Sequence, residues 1–145
     1  MSLLNIFDVS GSGMAAQTLR LNTIASNIAN AQSVAENPED TYRARHPVFQ
    51  AVYDDTMRSE LKGELGNAAA QRVEVPGIVE SDAPLTLRYE PDHPYANEDG
   101  YVTYPNVSVV EEMANMISAS RSFQVNVEVL NTTKTLAERV LTLGQ

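Results

Sequence analysis

The sequence predicts an α+β protein in which two long helices, one at each end of the chain, form an antiparallel, coiled-coil-like pair with a small β-rich insertion between them. Three observations lead to this fold class: an N-terminal segment without proline that carries a helical apolar repeat, a C-terminal segment without proline or glycine, and short alternating runs in the middle. Residues 1–35 and 106–145 therefore form the expected helical core domain. Residues 36–105 form the expected loop and acidic insertion.

The N-terminal helix is predicted over residues 5–32, which contain no proline. The apolar residues that recur along one face are Met14, Leu21, Ile24 and Ile28. Gly11, Gly13 and several alanines leave the flanks of this helix thin, so neighbouring helices can approach it closely. Because glycine and asparagine have low helix propensity, the helix should be only marginally stable alone.

The C-terminal helix is predicted over residues 109–143. Ser108 and Glu111 have the spacing of a capping box at its start, and Gly144 is the expected stop. A heptad face, interrupted by one serine and one lysine, is predicted along Met113, Met116, Ser120, Phe123, Val127, Leu130, Lys134, Ala137 and Leu141. The first helix should pack along this face in the antiparallel direction.

The middle of the chain changes character. Residues 48–61 fit either a short strand or a helix, and residues 62–71 are rich in glycine and alanine. From Arg72 to Tyr104, apolar residues alternate in short runs that are separated by turn residues such as Pro76 and Gly77. A small set of strands is the economical prediction for this stretch.

The net charge of −9 is concentrated in this middle part. Residues 36–105 contain 14 of the 19 acidic residues and six of the ten basic residues, and so account for −8. An acidic middle argues against nucleic acid as a partner. No apolar run reaches membrane-spanning length and no signal peptide can be drawn, so we expect no direct membrane insertion. The absence of cysteine excludes disulfides, thiolate metal sites and cysteine nucleophiles.

Residues that could carry chemistry are few and scattered. His46 and His93 lie in separate loops, so a catalytic triad would need three unrelated loops to converge. The acidic residues near His93 match no cation-binding loop in their spacing. The adjacent acidic pairs Asp54–Asp55 and Glu111–Glu112 do not have the spacing of facing carboxylates. We therefore expect no enzymatic activity, no cofactor and no metal site.

Asparagines are frequent in both helices, at Asn22, Asn27, Asn30, Asn126 and Asn131. A pair of helices buries only one face of each, so these side chains are expected to lack partners within a single pair. They are either solvated or are contacts that fix the register between neighbouring helices. The second alternative predicts that the chain assembles with others.

Two segments resemble the rod, hook and hook-associated family of flagellar axial proteins. The first comprises Ser10–Gln17 and Arg20–Gln32 and includes an S-N-x-A-N element at Ser26–Asn30. The second comprises Gly100–Met113 and Met116–Lys134, and it is most similar to the proximal rod members, as is the short acidic middle with its Asp92–Pro94 turn. Together the segments cover about half of the chain. The departure from the family pattern lies at Thr41–Phe49.

The resemblance implies a structural subunit of the proximal rod of the bacterial flagellum, which polymerises through its terminal helices and transmits torque from the membrane ring to the hook. It also implies export through the flagellar type III apparatus without a cleaved signal peptide, and assembly in the periplasm. The implied partners are other copies of the chain, other rod proteins, a membrane-ring adaptor protein and the export apparatus.

The residues that match the packing helices of the family form the predicted assembly interface. They are Met14, Leu21, Asn27, Ile28, Asn30, Met113, Ile117, Phe123, Asn126, Val127, Leu130 and Asn131. Two other classes of function stay open: a secreted binding module or adhesin that uses the acidic β insertion, and a small hydrolase.

Overall fold

The computed structural model of the chain describes residues 3–53 and 71–143. In chain order the elements are α1 (Leu3–Asn30), a 3-10 helix (Pro38–Asp40), β1 (Arg45–Tyr53), β2 (Gln71–Glu80), β3 (Thr86–Tyr89), β4 (Tyr101–Tyr104) and α2 (Val109–Leu143). The predicted α+β class is confirmed. Among the described residues, no helix is both long enough and apolar enough to cross a membrane.

Both terminal helices lie where the sequence predicts them. Helix α1 spans 28 residues and α2 spans 35. Half of the predicted capping box is present at the start of α2, where the Glu111 backbone N–H donates to the Ser108 hydroxyl at 3.4 Å. The Glu112 N–H donates to the Ser108 carbonyl at 2.9 Å, which is the first regular hydrogen bond of the helix.

The strands form two separate two-stranded sheets. Strand β1 is paired with β2, whereas β3 and β4 form an antiparallel hairpin with Leu87 opposite Thr103 and Tyr89 opposite Tyr101. Pro76 and Gly77 were expected to separate strands, and this prediction is wrong because β2 runs through both. Each strand of a two-stranded sheet has a free edge, where a residue without an N–H is tolerated.

The alternative between strand and helix for residues 48–61 is resolved as strand up to Tyr53, and the rest of that segment lies outside the described residues. The predicted glycine-rich and alanine-rich stretch likewise lies outside them, except for Gln71, which begins β2. The acidic pair Asp54–Asp55 is not part of the described chain either. The strands expected between Arg72 and Tyr104 are present.

The chain divides into two compact units, each containing part of both helices. One, which we call the hairpin unit, comprises Arg20–Pro47 and Gly77–Ser118. The other, which we call the terminal unit, comprises Met1–Leu19, Val48–Pro76 and Ala119–Gln145. Buried residues of the hairpin unit include Ile24, Asn27, Ala44, Val102 and Glu112, and those of the terminal unit include Ser10, Ala16, Ala119 and Thr133.

The face of α2 that packs inside the chain differs from the predicted heptad face. Its residues at seven-residue spacing are Glu112, Ala119, Asn126 and Thr133, of which all but the half-buried Asn126 are buried. The central members of the predicted face are half-buried, but Met113, Lys134 and Leu141 are exposed. Small and polar side chains fit against the thin, polar α1 more closely than large aliphatic ones do, which accounts for the difference.

Candidate assembly surface

A buried asparagine connects three elements of the hairpin unit. Asn27 is fully buried, and its Nδ2 donates to the Arg45 carbonyl at 2.9 Å and to the Glu112 Oε2 at 3.0 Å. Its Oδ1 accepts from the Arg45 N–H at 3.0 Å and from the Tyr42 hydroxyl at 2.8 Å. An asparagine side chain has two donor hydrogens and two acceptor lone pairs, and all four are used here. The expectation that Asn27 lacks a partner within one chain is therefore wrong.

The Glu112 carboxylate, which accepts from Asn27, lies where negative charge is stabilised. Glu112 is buried in the first turn of α2, where the free N–H groups of the helix favour negative charge. Its Oε1 accepts from Asn115 Nδ2 at 3.4 Å, and Asn115 Oδ1 accepts from the Arg20 guanidinium at 3.3 Å. Because later residues of α1 meet earlier residues of α2, the helices run antiparallel in this unit, as predicted.

A second asparagine fixes the segment that precedes β1. Asn106 accepts from the Ala44 N–H at 2.8 Å and donates to the carbonyls of Ser81 and Ala83 at 3.3 and 2.9 Å. The Ser81 N–H in turn donates to the Ala44 carbonyl at 2.8 Å. This is the region where the sequence departs from the family pattern, and its backbone is bound by two asparagine side chains.

The terminal unit is packed in a different way. An added Cβ at Gly13 would lie 3.1 Å from Asn126 Nδ2, so the missing side chain allows α1 and α2 to approach closely. The hydroxyl of Ser12 accepts from the Val73 N–H at 3.1 Å and thereby joins α1 to β2. The predicted thinness of this flank of α1 thus allows the close contact at Gly13. At Gly11, by contrast, no atom of residues 3–53 or 71–143 lies within 4 Å of an added Cβ.

The aliphatic residues of α2 lie largely on its exposed side. In the hairpin unit, Val110, Met113 and Ile117 are 80%, 55% and 57% exposed, and we call them the Val110 stripe. In the terminal unit, the exposed residues Val125, Val129, Leu136 and Val140 form what we call the Val125 stripe. Neighbouring members of each stripe are three, four or seven positions apart, which places each stripe on one side of the helix. The Val125 stripe borders a groove of about 340 Å³ that also includes Ile6 of α1.

The exposed side of α1 carries small residues. Ala15, Thr18, Asn22, Ala25 and Ala29 recur at steps of three and four and are all exposed. Ala16 and Ala31, by contrast, are buried within the chain. In each unit, α2 thus presents exposed aliphatic residues and α1 presents exposed small or polar residues.

The twelve residues of the predicted assembly interface lie in three environments. Met113, Ile117 and Asn131 are exposed, Asn27 is fully buried, and the half-buried ones are Met14, Leu21, Ile28, Asn30, Phe123, Asn126, Val127 and Leu130. Asn30 and Asn126 donate to the carbonyls of Ser26 and Ser122, one turn earlier in their own helices. The set is therefore not one continuous surface in the free chain, and only part of it is available to a neighbour.

Sequence reasoning missed the residues that complete the Asn27 network. Tyr42, Arg45, Asn106 and Glu112 were not among the predicted interface residues, yet each binds Asn27 or the backbone beside it. The available signals were an asparagine just before a helix and an acidic residue in its first turn. Neither signal identifies which distant backbone groups or side chains these residues will contact.

The described side chains that were considered for chemistry do not form a site. No group of three or more acidic or histidine side chains suitable for a metal ion occurs within residues 3–53 and 71–143. His93 accepts a hydrogen bond from the Tyr95 N–H at 3.1 Å, which is a turn interaction. Tyr104 donates to Glu90 Oε2 at 3.0 Å, and this hydrogen bond to a carboxylate raises the pKa of Tyr104, with desolvation as a second cause.

Both terminal helices match the sequences of known proteins. Residues 7–34, most of α1, match the family model described as "Flagella basal body rod protein", and residues 98–143, β4 and α2, match "Flagellar basal body rod FlgEFG protein C-terminal". The "Flagellar basal-body rod protein FlgC" of Salmonella typhimurium strain LT2 is 50% identical over 145 residues, covering the whole of both chains. The chain belongs to the FlgC family of flagellar basal-body rod proteins.

Other relatives agree. The protein of the same description from Yersinia enterocolitica is 50% identical over all of both chains, and that of Aquifex aeolicus is 38% identical over 96% of this chain and 95% of the relative. The predicted resemblance to the proximal rod proteins is confirmed. This family is structural and not enzymatic, which agrees with the prediction that the chain is not an enzyme. Nothing in the comparisons supports the adhesin or the hydrolase.

Proposed function

We propose that the chain is a structural subunit of the proximal rod and that it polymerises through the exposed sides of its two terminal helices into the tube that transmits torque from the membrane ring to the hook. In this proposal residues 1–35 and 106–145 form the assembling helical core, and residues 36–105 form an insertion outside it. The predicted interface residues contribute where they are exposed or half-buried. Asn27 contributes indirectly, by fixing α1 against α2 inside each chain.

One observation carries the proposal: the fully buried residues of α2 are polar or small, whereas most of its aliphatic residues are exposed. Polar side chains normally face water and aliphatic ones face the core. Contiguous exposed apolar patches mark sites of protein–protein interaction. The Val110 and Val125 stripes are therefore best explained as surfaces that neighbouring subunits cover.

The magnitudes favour several neighbours over one. Full burial of an aliphatic side chain contributes about 1.5 to 3 kcal/mol, so covering the exposed half of the seven stripe residues contributes on the order of 5 to 10 kcal/mol. Association opposes this with about 4 to 15 kcal/mol of lost translational and rotational freedom. A single contact through one stripe is thus weak, and a tube in which each chain contacts several others is stable.

The exposed small residues on α1 also support assembly through the helices, because alanine allows helices of adjacent subunits to approach closely. The proposal also covers the partners and location of the subunit. The proposed partners are other rod proteins, a membrane-ring adaptor protein and the export apparatus. The proposed location is the periplasm, which the chain reaches by export without a cleaved signal peptide. These partners and this location rest on the resemblance to the family.

The test replaces one stripe residue by a charged one. We expect Ile117→Asp to abolish swimming in soft agar, because a carboxylate in a covered apolar contact is strongly unfavourable. The amount of chain in the periplasmic fraction and its circular dichroism spectrum should be unchanged, since Ile117 is 57% exposed in the free chain. Val79 is 55% exposed on β2 and supplies the matched control: Val79→Asp should keep swimming. Normal swimming by the Ile117→Asp strain would contradict the proposal.

A further inference from the structure

The β3–β4 hairpin has a largely aromatic face on which two tyrosines and a leucine are exposed and Thr103 is half-buried. Strand partners place Leu87, Tyr89, Tyr101 and Thr103 on one face of the hairpin. Leu87 is 61% exposed and Tyr89 is 65% exposed, and Tyr101 is exposed as well. We call these four residues the hairpin face. The opposite face behaves differently, since it contains the fully buried Val102.

Specific contacts hold the tyrosines of the hairpin face and the turn beside them in place. The rings of Tyr89 and Tyr101 pack edge to face with centroids 5.3 Å apart. Gly100 has a positive φ of 81°, and a Cβ there would lie 2.9 Å from Tyr89 Cε2 and 3.3 Å from Pro91 Cβ. The turn is fixed further by Asn97, whose Oδ1 accepts from the N–H groups of Asp99 and Tyr101 at 3.1 and 2.8 Å. Two tyrosine rings are therefore presented to solvent in one defined arrangement.

The segment that forms this face is predominantly acidic. Residues 86–104 contain four acidic residues and one basic residue, for a net charge of −3. The single base, Arg88, lies on the opposite face with its guanidinium carbon 4.4 Å from the centroid of the Tyr104 ring. Glu90 accepts from the Tyr104 hydroxyl. The other three acidic residues, Asp92, Glu98 and Asp99, are exposed.

We infer that the hairpin face is a docking surface for a protein other than this chain, and that this partner presents arginine side chains together with apolar ones. Arginine stacks on exposed tyrosine rings and at the same time pairs with carboxylates at the rim. Tyrosine and arginine are both enriched in the centres of protein interfaces. A second copy of this chain is poorly suited as the partner because its net charge is −9.

This surface is distinct from the one used in the proposed assembly. The hairpin face lies on β3 and β4, whereas the Val110 and Val125 stripes lie on α2. It also differs in composition, since the stripes are aliphatic and the hairpin face is mainly aromatic with an acidic rim. The inference therefore goes beyond the role of the chain as a polymerising subunit and adds a contact with a partner of opposite charge.

The experiment uses the full chain in swimming cells. A photoreactive p-benzoylphenylalanine is placed at Leu87, on the hairpin face, or at the exposed Thr86, on the opposite face, as the matched control. After irradiation, the crosslinked peptide is identified by mass spectrometry. We expect a crosslink from position 87, and not from position 86, to a segment of a different protein that contains arginine.

The role of charge is tested in the same strain. The triple variant Asp92→Asn, Glu98→Gln, Asp99→Asn removes the rim charges and should lower the yield of the crosslink about tenfold. The triple variant Glu36→Gln, Glu39→Gln, Asp40→Asn removes three exposed acidic groups elsewhere in the hairpin unit and should leave the yield unchanged.

Four outcomes would overturn the inference: a crosslink to another copy of this chain, a crosslink to a glycan, a crosslink that persists in full after removal of the rim charges, or no crosslink in cells that swim. Swimming itself reports that the rod has assembled. A failure of the hairpin inference is therefore distinguishable from a failure of the proposed function, which the Ile117→Asp strain tests.

Discussion

The two units fix α1 against α2 by different means. In the hairpin unit, Asn27 uses all four of its hydrogen-bonding positions on Tyr42, Arg45 and Glu112. In the terminal unit, the two helices meet through the absent side chain of Gly13, and the facing Asn126 bonds only to its own helix among the interactions described for residues 3–53 and 71–143. The first contact is directional and specific, and the second depends on shape.

The difference indicates a division of tasks along the same pair of helices. A buried polar network requires one register, because any shift leaves donors and acceptors without partners. A contact of small side chains permits close approach but contributes little burial of apolar area. We therefore expect the hairpin unit to set the register of the pair, and the terminal unit to depend more on neighbouring chains for its stability.

The largest expected effect is on the Asn27 network. Asn27→Ala removes the hydrogen bonds made to Glu112 Oε2 and to the N–H and carbonyl of Arg45. It should therefore lower the free energy of unfolding by about 3 kcal/mol. Asn126→Ala is the matched control in the terminal unit and should lower it by less than about 1 kcal/mol, since it removes one bond to the preceding turn. Urea denaturation followed by circular dichroism measures both. Equal losses would remove the distinction between the units.

An intermediate effect is expected at the close approach of the helices in the terminal unit. Gly13→Leu should lower the free energy of unfolding by about 1 to 3 kcal/mol, because its Cβ would already be tighter than ordinary contact with Asn126. Gly11→Ala should instead raise it by about 0.5 to 1 kcal/mol, since no described residue lies within 4 Å of its added Cβ and alanine has the higher helix propensity. Thermal denaturation distinguishes the loss of stability expected for Gly13→Leu from the gain expected for Gly11→Ala. If Gly13→Leu were also stabilising, the terminal unit would not be shaped by this contact.

The smallest effect concerns the hairpin. The hydrogen bond to Glu90 raises the pKa of Tyr104 above its ordinary value of 10.0. A raised pKa in the folded chain means that the stabilisation is fully present below pH 10 and is lost as the pH rises through the folded value. Absorbance at 295 nm during alkaline titration should therefore show one tyrosine that ionises late, and Tyr104→Phe should remove it. If Tyr104→Phe instead removed an ionisation in the ordinary range of tyrosine, this bond would not form in solution.

The sequence predicts the helices and strands well and the contacts between them less well. The bounds of α2 follow from the absence of proline and glycine and from Ser108 at its start, which are local signals. The role of Asn27 does not follow, because its partners lie 15, 18 and 85 residues away and two of the four bonds involve backbone groups. No periodicity identifies which distant backbone an asparagine will meet.

The packed side of α2 illustrates a second limit. An apolar repeat identifies the side of a helix that is hidden from water, but not the chain that hides it. Met113 and Ile117 are apolar and exposed, whereas Glu112 and Thr133 are polar and buried. A helix that packs both within its own chain and against neighbours has two hidden sides, and sequence alone does not distinguish them. For the same reason only part of the predicted interface lies on the exposed sides in the free chain.

The central claim is that neighbouring subunits cover the exposed aliphatic side of α2, and the absence of natural cysteine allows a direct measurement. A single-cysteine variant, Ile117→Cys, is labelled with a maleimide in the free chain, in purified basal bodies from swimming cells, and in the same basal bodies after dissociation in urea. We predict labelling of the free and the dissociated chain, and protection in the intact basal body. Equal labelling of the intact and the dissociated basal bodies would contradict the claim.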